Sequence, residues 1–404
     1  MGQTLSEPVI EKHSTEDGDD RLIYAASSMQ GWRVSMEDAH TTILKLDGSN
    51  VAFFAVYDGH GGKYQKWGFC MSKTLRQAGS LDTIAYPWGA SFLIGQNVAK
   101  YSGNQLHKRI AAEDAFKEGK YHVAIKNGFL GTDADLKQDP EFAHDPSGCT
   151  AVAAIIEPGK RVLVGNAGDS RAVISVNGKV EALSHDHKPV NKAESQRIVA
   201  AGGFVEFGRV NGNLALSRAI GDFEFKQNFN LSPEHQIVTC IWDCMTSQEV
   251  VDFVRVGIAD KKSLKVICEE LMDRCLAPDS EIGGIGCDNM TVVIVGLLNN
   301  LTKQQWYDNI TKKLLQSSAT DRLGNFLTDS NRELGSKHVT GNGITSTSGD
   351  LSDAVDGEKG DSKSALRDTV QNLVSADGVD SKDSTVSVPI ILPHTSNSIT
   401  TTDG

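Results

Sequence analysis

The stretch Phe53-Phe54-Ala55-Val56-Tyr57-Asp58-Gly59-His60-Gly61-Gly62 decides the fold. An unbroken apolar run from Phe53 to Tyr57 leads into an acid, a histidine and glycines. Such a run reads as a buried strand covered on both faces and closed by a tight turn. The turn puts the carboxylate of Asp58 and the imidazole of His60 at the strand's end. Glycines at 59, 61 and 62 allow positive φ or a close approach to a bound ion. Taken alone, the stretch reads equally well as a glycine turn with a solvated aspartate.

Moving outward, Leu22 to Ser28 alternates as a strand does, Gly31-Trp32-Arg33 reads as a turn, and Met36 to Leu46 carries Glu37-Asp38 into a second strand. On the other side, Cys149 to Ile156 is an apolar, β-rich run. Arg161 to Ala167 and Arg171 to Val176 are strands flanking Gly168-Asp169-Ser170, and Asn177-Gly178 is a hairpin turn of the I′ type. Helices are expected over Asn191 to Ala201, Ser247 to Gly257, Ser263 to Leu276 and Thr302 to Leu315, and a last buried strand over Met290 to Leu298. Turn-linked strands and segregated helices predict an α+β fold of antiparallel sheets packed on each other, with helices outside.

Residues 21–315 carry this pattern. Residues 316–404 are rich in Ser, Thr, Asp and Gly and sparse in apolar residues, so a disordered tail is expected. Residues 1–20 read as a flexible N-terminus whose Met1-Gly2-Gln3-Thr4-Leu5-Ser6 matches the Gly2 myristoylation pattern. One such acyl chain gives only weak, reversible membrane contact. The net charge of −12 argues against nucleic acid as the main partner and suits a protein that holds divalent cations. No apolar run is long enough to span a membrane. The seven cysteines are scattered, without C-x-x-C pairs, and read as reduced thiols of a cytoplasmic or nuclear protein.

Acids recur beside small residues at the expected strand ends: Glu37-Asp38, Asp58-Gly59, Asp145, Gly168-Asp169, Gly221-Asp222 and Asp288-Asn289. Oxygen donors of this kind suit Mg²⁺ or Mn²⁺. Asp169 and Asp222 read first as turn aspartates that cap backbone N–H groups.

The motifs together resemble the PPM-type, or type 2C, metal-dependent Ser/Thr protein phosphatases, fungal members most of all. They are Gln30-Gly31-Trp32-Arg33 with Met36-Glu37-Asp38-Ala39, Val56 to Gly62, Ser147-Gly148-Cys149-Thr150-Ala151, Asn166-Ala167-Gly168-Asp169-Ser170-Arg171, Asp186-His187-Lys188-Pro189, Leu216 to Asp222, and Gly286-Cys287-Asp288-Asn289-Met290-Thr291. The resemblance implies a four-layer α-β-β-α sandwich with a two-metal centre at one end. Asp58 would bridge two Mn²⁺ or Mg²⁺ ions, with Glu37 and the Gly59 carbonyl on one and Asp288 on the other. Asp38 would support the site through bound water, and Asp145 matches a weaker third metal position. Arg33 would grip the substrate phosphate. His60 would protonate the leaving seryl or threonyl oxygen. Two metals about 3.5–4 Å apart polarise phosphoryl oxygens and activate water. The resemblance further implies phosphorylated proteins as substrates, kinases of stress pathways among them.

Two departures stand out. Tyr64 to Asn97 is an insertion between the glycine turn and the expected helix start at Val98, and it carries Trp67, Phe69, Trp88 and Phe92. After Gln236-Ile237-Val238-Thr239 the chain passes through Cys240 directly to Ile241-Trp242-Asp243, omitting a central strand and a metal-binding aspartate that the family has there. Asp243 matches a later position and does not replace that ligand. Retained intron sequence at the first junction and a skipped segment at the second would account for both. The alternative to an active phosphatase is then an impaired variant that binds substrates without turning them over.

Overall fold

A computed structural model describes residues 4–61, 94–142, 145–228, 230–233, 236, 247–280, 286–316 and 387–392. Its first elements are β1 (Thr4–Gly18), β2 (Leu22–Arg33), β3 (Ala39–Ile43), β4 (Ala52–Tyr57) and the short β5 (Gly59–His60). Then come α1 (Ile94–Ala112), α2 (Asp114–Lys117), α3 (Tyr121–Gln138), β6 (Gly148–Cys149), β7 (Ala151–Glu157), β8 (Arg161–Ala167), β9 (Arg171–Val176) and β10 (Lys179–Ala182). The chain continues through α4 (Lys192–Ala200), β11 (Val205–Glu206), β12 (Arg209–Val210), β13 (Ile220–Gly221), α5 (Ser247–Ala259), α6 (Leu264–Cys275) and β14 (Met290–Leu297). A helix over 303–316, α7, and β15 (Ser387–Leu392) close it.

Two antiparallel sheets form the centre. One has the order β1-β2-β14-β15-β9-β10 and the other β3-β4-β7-β8. The apolar run over β4 has two buried faces. Ala52, Phe54 and Val56 point between the sheets, where they meet Leu22, Tyr24 and Ala26 of β2, Val152 and Ala154 of β7, and Val293 and Val295 of β14. Tyr24 and Phe54 meet edge to face, ring centroids 5.3 Å apart. The alternate residues Phe53, Ala55 and Tyr57 point outward under Val98, Leu106 and Ile110 of α1 and Ile125 of α3. On the other sheet Ile23, Ala25 and Met29 of β2 pack under Val251 and Val254 of α5 and Ile267 and Leu271 of α6. Three buried clusters between four layers make the α-β-β-α sandwich. Emptying one such position, as in Phe54→Ala, costs about 3–5 kcal/mol.

Local chemistry explains the connections. Asn177 (φ 51°) and Gly178 (φ 86°) both take positive φ, as a I′ turn requires, and join β9 to β10 with Val176 opposite Lys179. Ser263 caps α6, its Oγ accepting from Val266 N at 3.3 Å. In α3, Gly128 lies where an added Cβ would be 2.2 Å from Ile110 Cγ1, so the glycine lets α1 and α3 touch.

Several expectations need correction. Thr4–Gly18, read as flexible, is a strand paired with β2 and tied to α6 by Lys12 Nζ–Asp273 Oδ1 (2.6 Å) and Ser14 Oγ–Glu269 Oε1 (2.7 Å). Backbone pairing with the edge of β2 supplies what its polar side chains do not. Gly31-Trp32-Arg33 ends β2 and is not a turn. The first large helix starts at Ile94, within the atypical insertion, and not at Val98. Within the tail, Ser387–Leu392 is a strand. One compact unit therefore takes in β1 and β15 as well as the expected 21–315. Gly2, Gly62, residues 64–93 of the insertion, the junction at 237–246 with Asp243, and the tail over 317–386 and 393–404 lie outside the described residues.

Candidate active site

Asp58 leaves β4 at the end of its apolar run, and three short strands hold the chain beyond it. Gly59 pairs with Cys149 and His60 with Gly148, while Ile220 and Gly221 pair with the same two residues from the other side. Three sequence motifs far apart in the chain thus meet in one small sheet, β13-β6-β5. Thr150 holds Asp58 from the backbone: its N–H donates to Asp58 O at 2.8 Å, and its Oγ1 accepts from Asp58 N at 3.2 Å. Ser170 Oγ lies 2.8 Å from Thr150 Oγ1, which gives the Gly168-Asp169-Ser170 motif a part in this support.

On the facing side, Asn289 clamps the segment that carries Arg33 and Glu37. Its Nδ2 donates to Gln30 O (2.8 Å) and Ser35 O (2.9 Å), and its Oδ1 accepts from Glu37 N (2.8 Å). Thr291 Oγ1 donates to Asp38 Oδ2 at 2.7 Å. Arg33 Nη1 reaches Asp288 Oδ1 at 2.6 Å and its Nη2 lies 3.5 Å from Glu37 Oε2. One end of β14 and one end of β2 are thereby tied into a single acidic patch.

The charges record the crowding. Burial raises the Asp58 carboxyl well above the usual range, and the neighbouring Asp38, Asp288 and Asp169 raise it further. Burial also raises Asp38 to about 7, helped by Asp288 and Glu37 and opposed by Thr291 and Arg33. For Arg33, burial works against the charge, but Asp288, Glu37, Asp58 and Asp38 outweigh it and raise its pKa. Glu37, Asp38, Asp58 and Asp288 therefore face one another electrostatically, with one guanidinium among them. Asp38 Oδ1 is buried and has no hydrogen-bond partner. Among the described residues, no group of three or more His, Cys, Asp or Glu side chains is set to hold a metal ion. The donor chemistry nevertheless fits a hard cation: clustered carboxylate oxygens whose charge is only partly offset by Arg33, one of them an unpartnered buried atom.

Other expected residues fall differently. Asp145 Oδ1 accepts from Ser147 N (2.9 Å) and Oγ (2.6 Å), so in this structure it caps a turn. Asp222, read as a turn cap, makes no capping bond and takes φ 50°. Its Oδ2 instead lies 2.7 Å from His60 Nε2, with its side chain 3% exposed. Asp133 Oδ1 steadies this corner by accepting from Gly221 N and Lys226 Nζ, both at 2.8 Å. The sequence reading missed Asp133, Asn289, Thr291 and Asp222 as supports. The last three stood inside quoted motifs, and that was the available signal.

The model of the family described as "Protein phosphatase 2C" matches residues 22–66 and 68–282. That match takes in every motif brought together above except the last, Gly286 to Thr291, which lies beyond it. The chain belongs to the protein phosphatase 2C family. Protein phosphatase 2C homolog 2 of Hypocrea jecorina is 47% identical over 345 residues, 78% of this chain and 71% of that protein. The protein of the same name in Schizosaccharomyces pombe is 46% identical over 341 residues, 78% of this chain and 83% of that protein. Among solved structures, a phosphatase from Toxoplasma gondii superposes with a TM-score of 0.52 at 22% identity, covering 72% of this chain and 97% of that one. That likeness concerns the fold. Within a protein phosphatase 2C fold, the acidic patch and His60 stand together at the β4 end of the sandwich.

Proposed function

We propose that the chain is a protein serine/threonine phosphatase whose reaction centre is the patch of Glu37, Asp38, Asp58, Asp288, Arg33 and His60. The observation that carries this is the convergence of these acids on Arg33 at the end of β4, in a chain of the protein phosphatase 2C family. Nothing in the structure favours the substrate-binding variant over the enzyme.

In this reading Asp58, Glu37, Asp288 and the Gly59 carbonyl would hold two Mn²⁺ or Mg²⁺ ions, with Asp38 behind them. Asp145 serves at most a weaker third site, since Ser147 already engages it. Bound divalent ions supply Lewis-acid polarisation of phosphoryl oxygens and a lowered pKa for water. Arg33 binds the phosphate dianion through its fork of N–H donors, exchanging Asp288 for substrate oxygens. His60 then hands a proton to the seryl or threonyl oxygen as its bond to phosphorus breaks and water oxygen bonds to phosphorus from the opposite side. With Nε2 held by Asp222, that proton leaves from Nδ1. The buried walls of β4 and β7 keep the site rigid, which positions the nucleophile and leaving group in line.

Phosphorylated proteins are the substrates in this account, stress-pathway kinases among the candidates. A cytoplasmic or nuclear location is proposed from the reduced cysteines, and Gly2 acylation would add weak membrane contact. No helix among the described residues is long and apolar enough to cross a membrane. Release of phosphate from a phosphothreonine peptide, with and without Mn²⁺, tests the proposal; Asp58→Asn should abolish it.

A further inference from the structure

In the larger sheet, β14 and β9 do not pair with each other. Each presents an edge to the same gap, and β15 fills it. On one side Ser387–Leu392 runs antiparallel to β9 along its whole length, Ser387 opposite Val176 and Leu392 opposite Arg171. On the other side only Ile390 and Ile391 pair, with Ile294 and Val293. Without β15 this place in the sheet would be open. The segment that occupies it is joined to α7 by residues 317–386.

We propose that the gap between β14 and β9 is a strand-acceptor site, that the chain's own Ser387–Leu392 is its occupant, supplied in cis, and that this occupant is exchangeable with a free peptide of the same sequence. Several observations support it. Both edges carry backbone donors and acceptors that need partners in a sheet interior. The occupant is held unequally, by full pairing on β9 and short pairing on β14. Pro389, opposite Ile174, has no N–H to give, which is rare in a strand flanked on both sides. Strand addition of this kind takes its affinity from main-chain bonds and tolerates an imperfect guest. Reach is no obstacle, since about 70 residues can extend to roughly 230 Å. Closing so long a loop costs entropy, which weakens the hold. Covalent attachment through a linker of this length presents the strand at roughly millimolar effective concentration, so a free peptide of that order competes.

The seat is tested in the full-length chain by the pair V176C/S387C, which the register sets opposite each other. After mild oxidation, peptide mapping should find a 176–387 link in monomeric protein, about tenfold above the off-register pair V176C/L392C, because a disulfide demands close Cα atoms. No link above that control overturns the seat, and a link confined to dimers overturns supply in cis. Exchangeability is tested by amide hydrogen exchange of full-length I390P. Val293 and Ile294 should exchange about tenfold faster or more than in the unaltered chain, and a peptide of residues 385–394 at millimolar concentration should restore them, while Ala55 and Val56 in the other sheet stay protected. Unchanged protection at Val293 and Ile294, or a peptide that restores nothing, overturns the exchangeable site. Should I390P also lose protection at Ala55 and Val56, the cysteine result decides. None of these readouts uses phosphatase activity, so they stand or fall apart from the catalytic reading.

Discussion

Arg33 Nη1 lies 2.6 Å from Asp288 Oδ1, and the two side chains are only 20% and 14% exposed. The arginine that would hold substrate phosphate is thus paired with an acid that would hold metal. Each partner offsets a charge that burial makes costly. Arg33→Ala is expected to lower kcat/KM by at least about a hundredfold, the loss of a charge-assisted phosphate contact worth about 3 kcal/mol. It should also destabilise the metal-free protein, because Asp288 and Asp38 lose their counter-charge. Steady-state kinetics and thermal melts of the two proteins check both halves.

His60 and Asp222 form the second pair that matters. His60→Ala should cost about 10²–10⁴-fold on a phosphothreonine peptide, the usual contribution of a general acid. The loss should shrink with p-nitrophenyl phosphate, whose leaving group needs no proton. Asp222→Asn should lower kcat more than it alters KM, since it orients the imidazole and does not touch substrate. Comparing the two substrates across both variants separates proton transfer from simple damage to the fold.

Asp38 gives a pH prediction. Its folded pKa, about 7, lies above the ordinary 3.8, so the folded state holds this proton more tightly than the unfolded chain does. Linkage then makes the group's contribution to stability fall as pH rises between those values. Metal-free protein should melt at lower temperature at pH 8 than at pH 5.5, as far as this group decides. Asp38→Asn should reduce the difference, and millimolar Mn²⁺ should reduce it too by favouring the ionised cluster. Calorimetric scans over that pH range test the sign.

Gly148 is fixed by its neighbour. An added Cβ would lie 2.5 Å from Asp222 Oδ2 and 2.6 Å from its Cγ. Gly148→Ala should displace Asp222, lower kcat as Asp222→Asn does, and cost about 1–3 kcal/mol of stability from overpacking. Equal kcat in Gly148→Ala and the unaltered chain would remove Asp222 from the account of His60.

Much of this was legible in the sequence because the fold repeats a simple physical pattern. The apolar run from Phe53 to Tyr57 needs cover on both faces, and it has a helix layer on one side and the second sheet on the other. Asn177-Gly178 specified its hairpin, and β8 and β9 fall on either side of the Gly168-Asp169-Ser170 turn signal, as read. The helix α3 was not legible. Its Gly128 and Gly131 interrupt the helical pattern, and their reason, a close contact with Ile110 and Arg109, exists only in the packed structure. Strand β1 was hidden because polar side chains say little when pairing is through the backbone. Local composition likewise gave no sign of β15, whose place is set by open edges on β14 and β9. At the site, the acids could be named from motifs, but the partnership of Asp222 with His60 spans the chain and needed the three-stranded junction around Gly148 to be seen.

The catalytic reading is tested most directly by a Mn²⁺ titration of phosphate release from a phosphothreonine peptide, run on the full-length chain beside Asp58→Asn. The account predicts activity that is absent in chelator, rises with Mn²⁺ and saturates at millimolar concentration. Asp58→Asn should stay flat throughout. Release that is equal in chelator and Mn²⁺, that persists in Asp58→Asn, or that is absent from the unaltered chain at every Mn²⁺ concentration would contradict it.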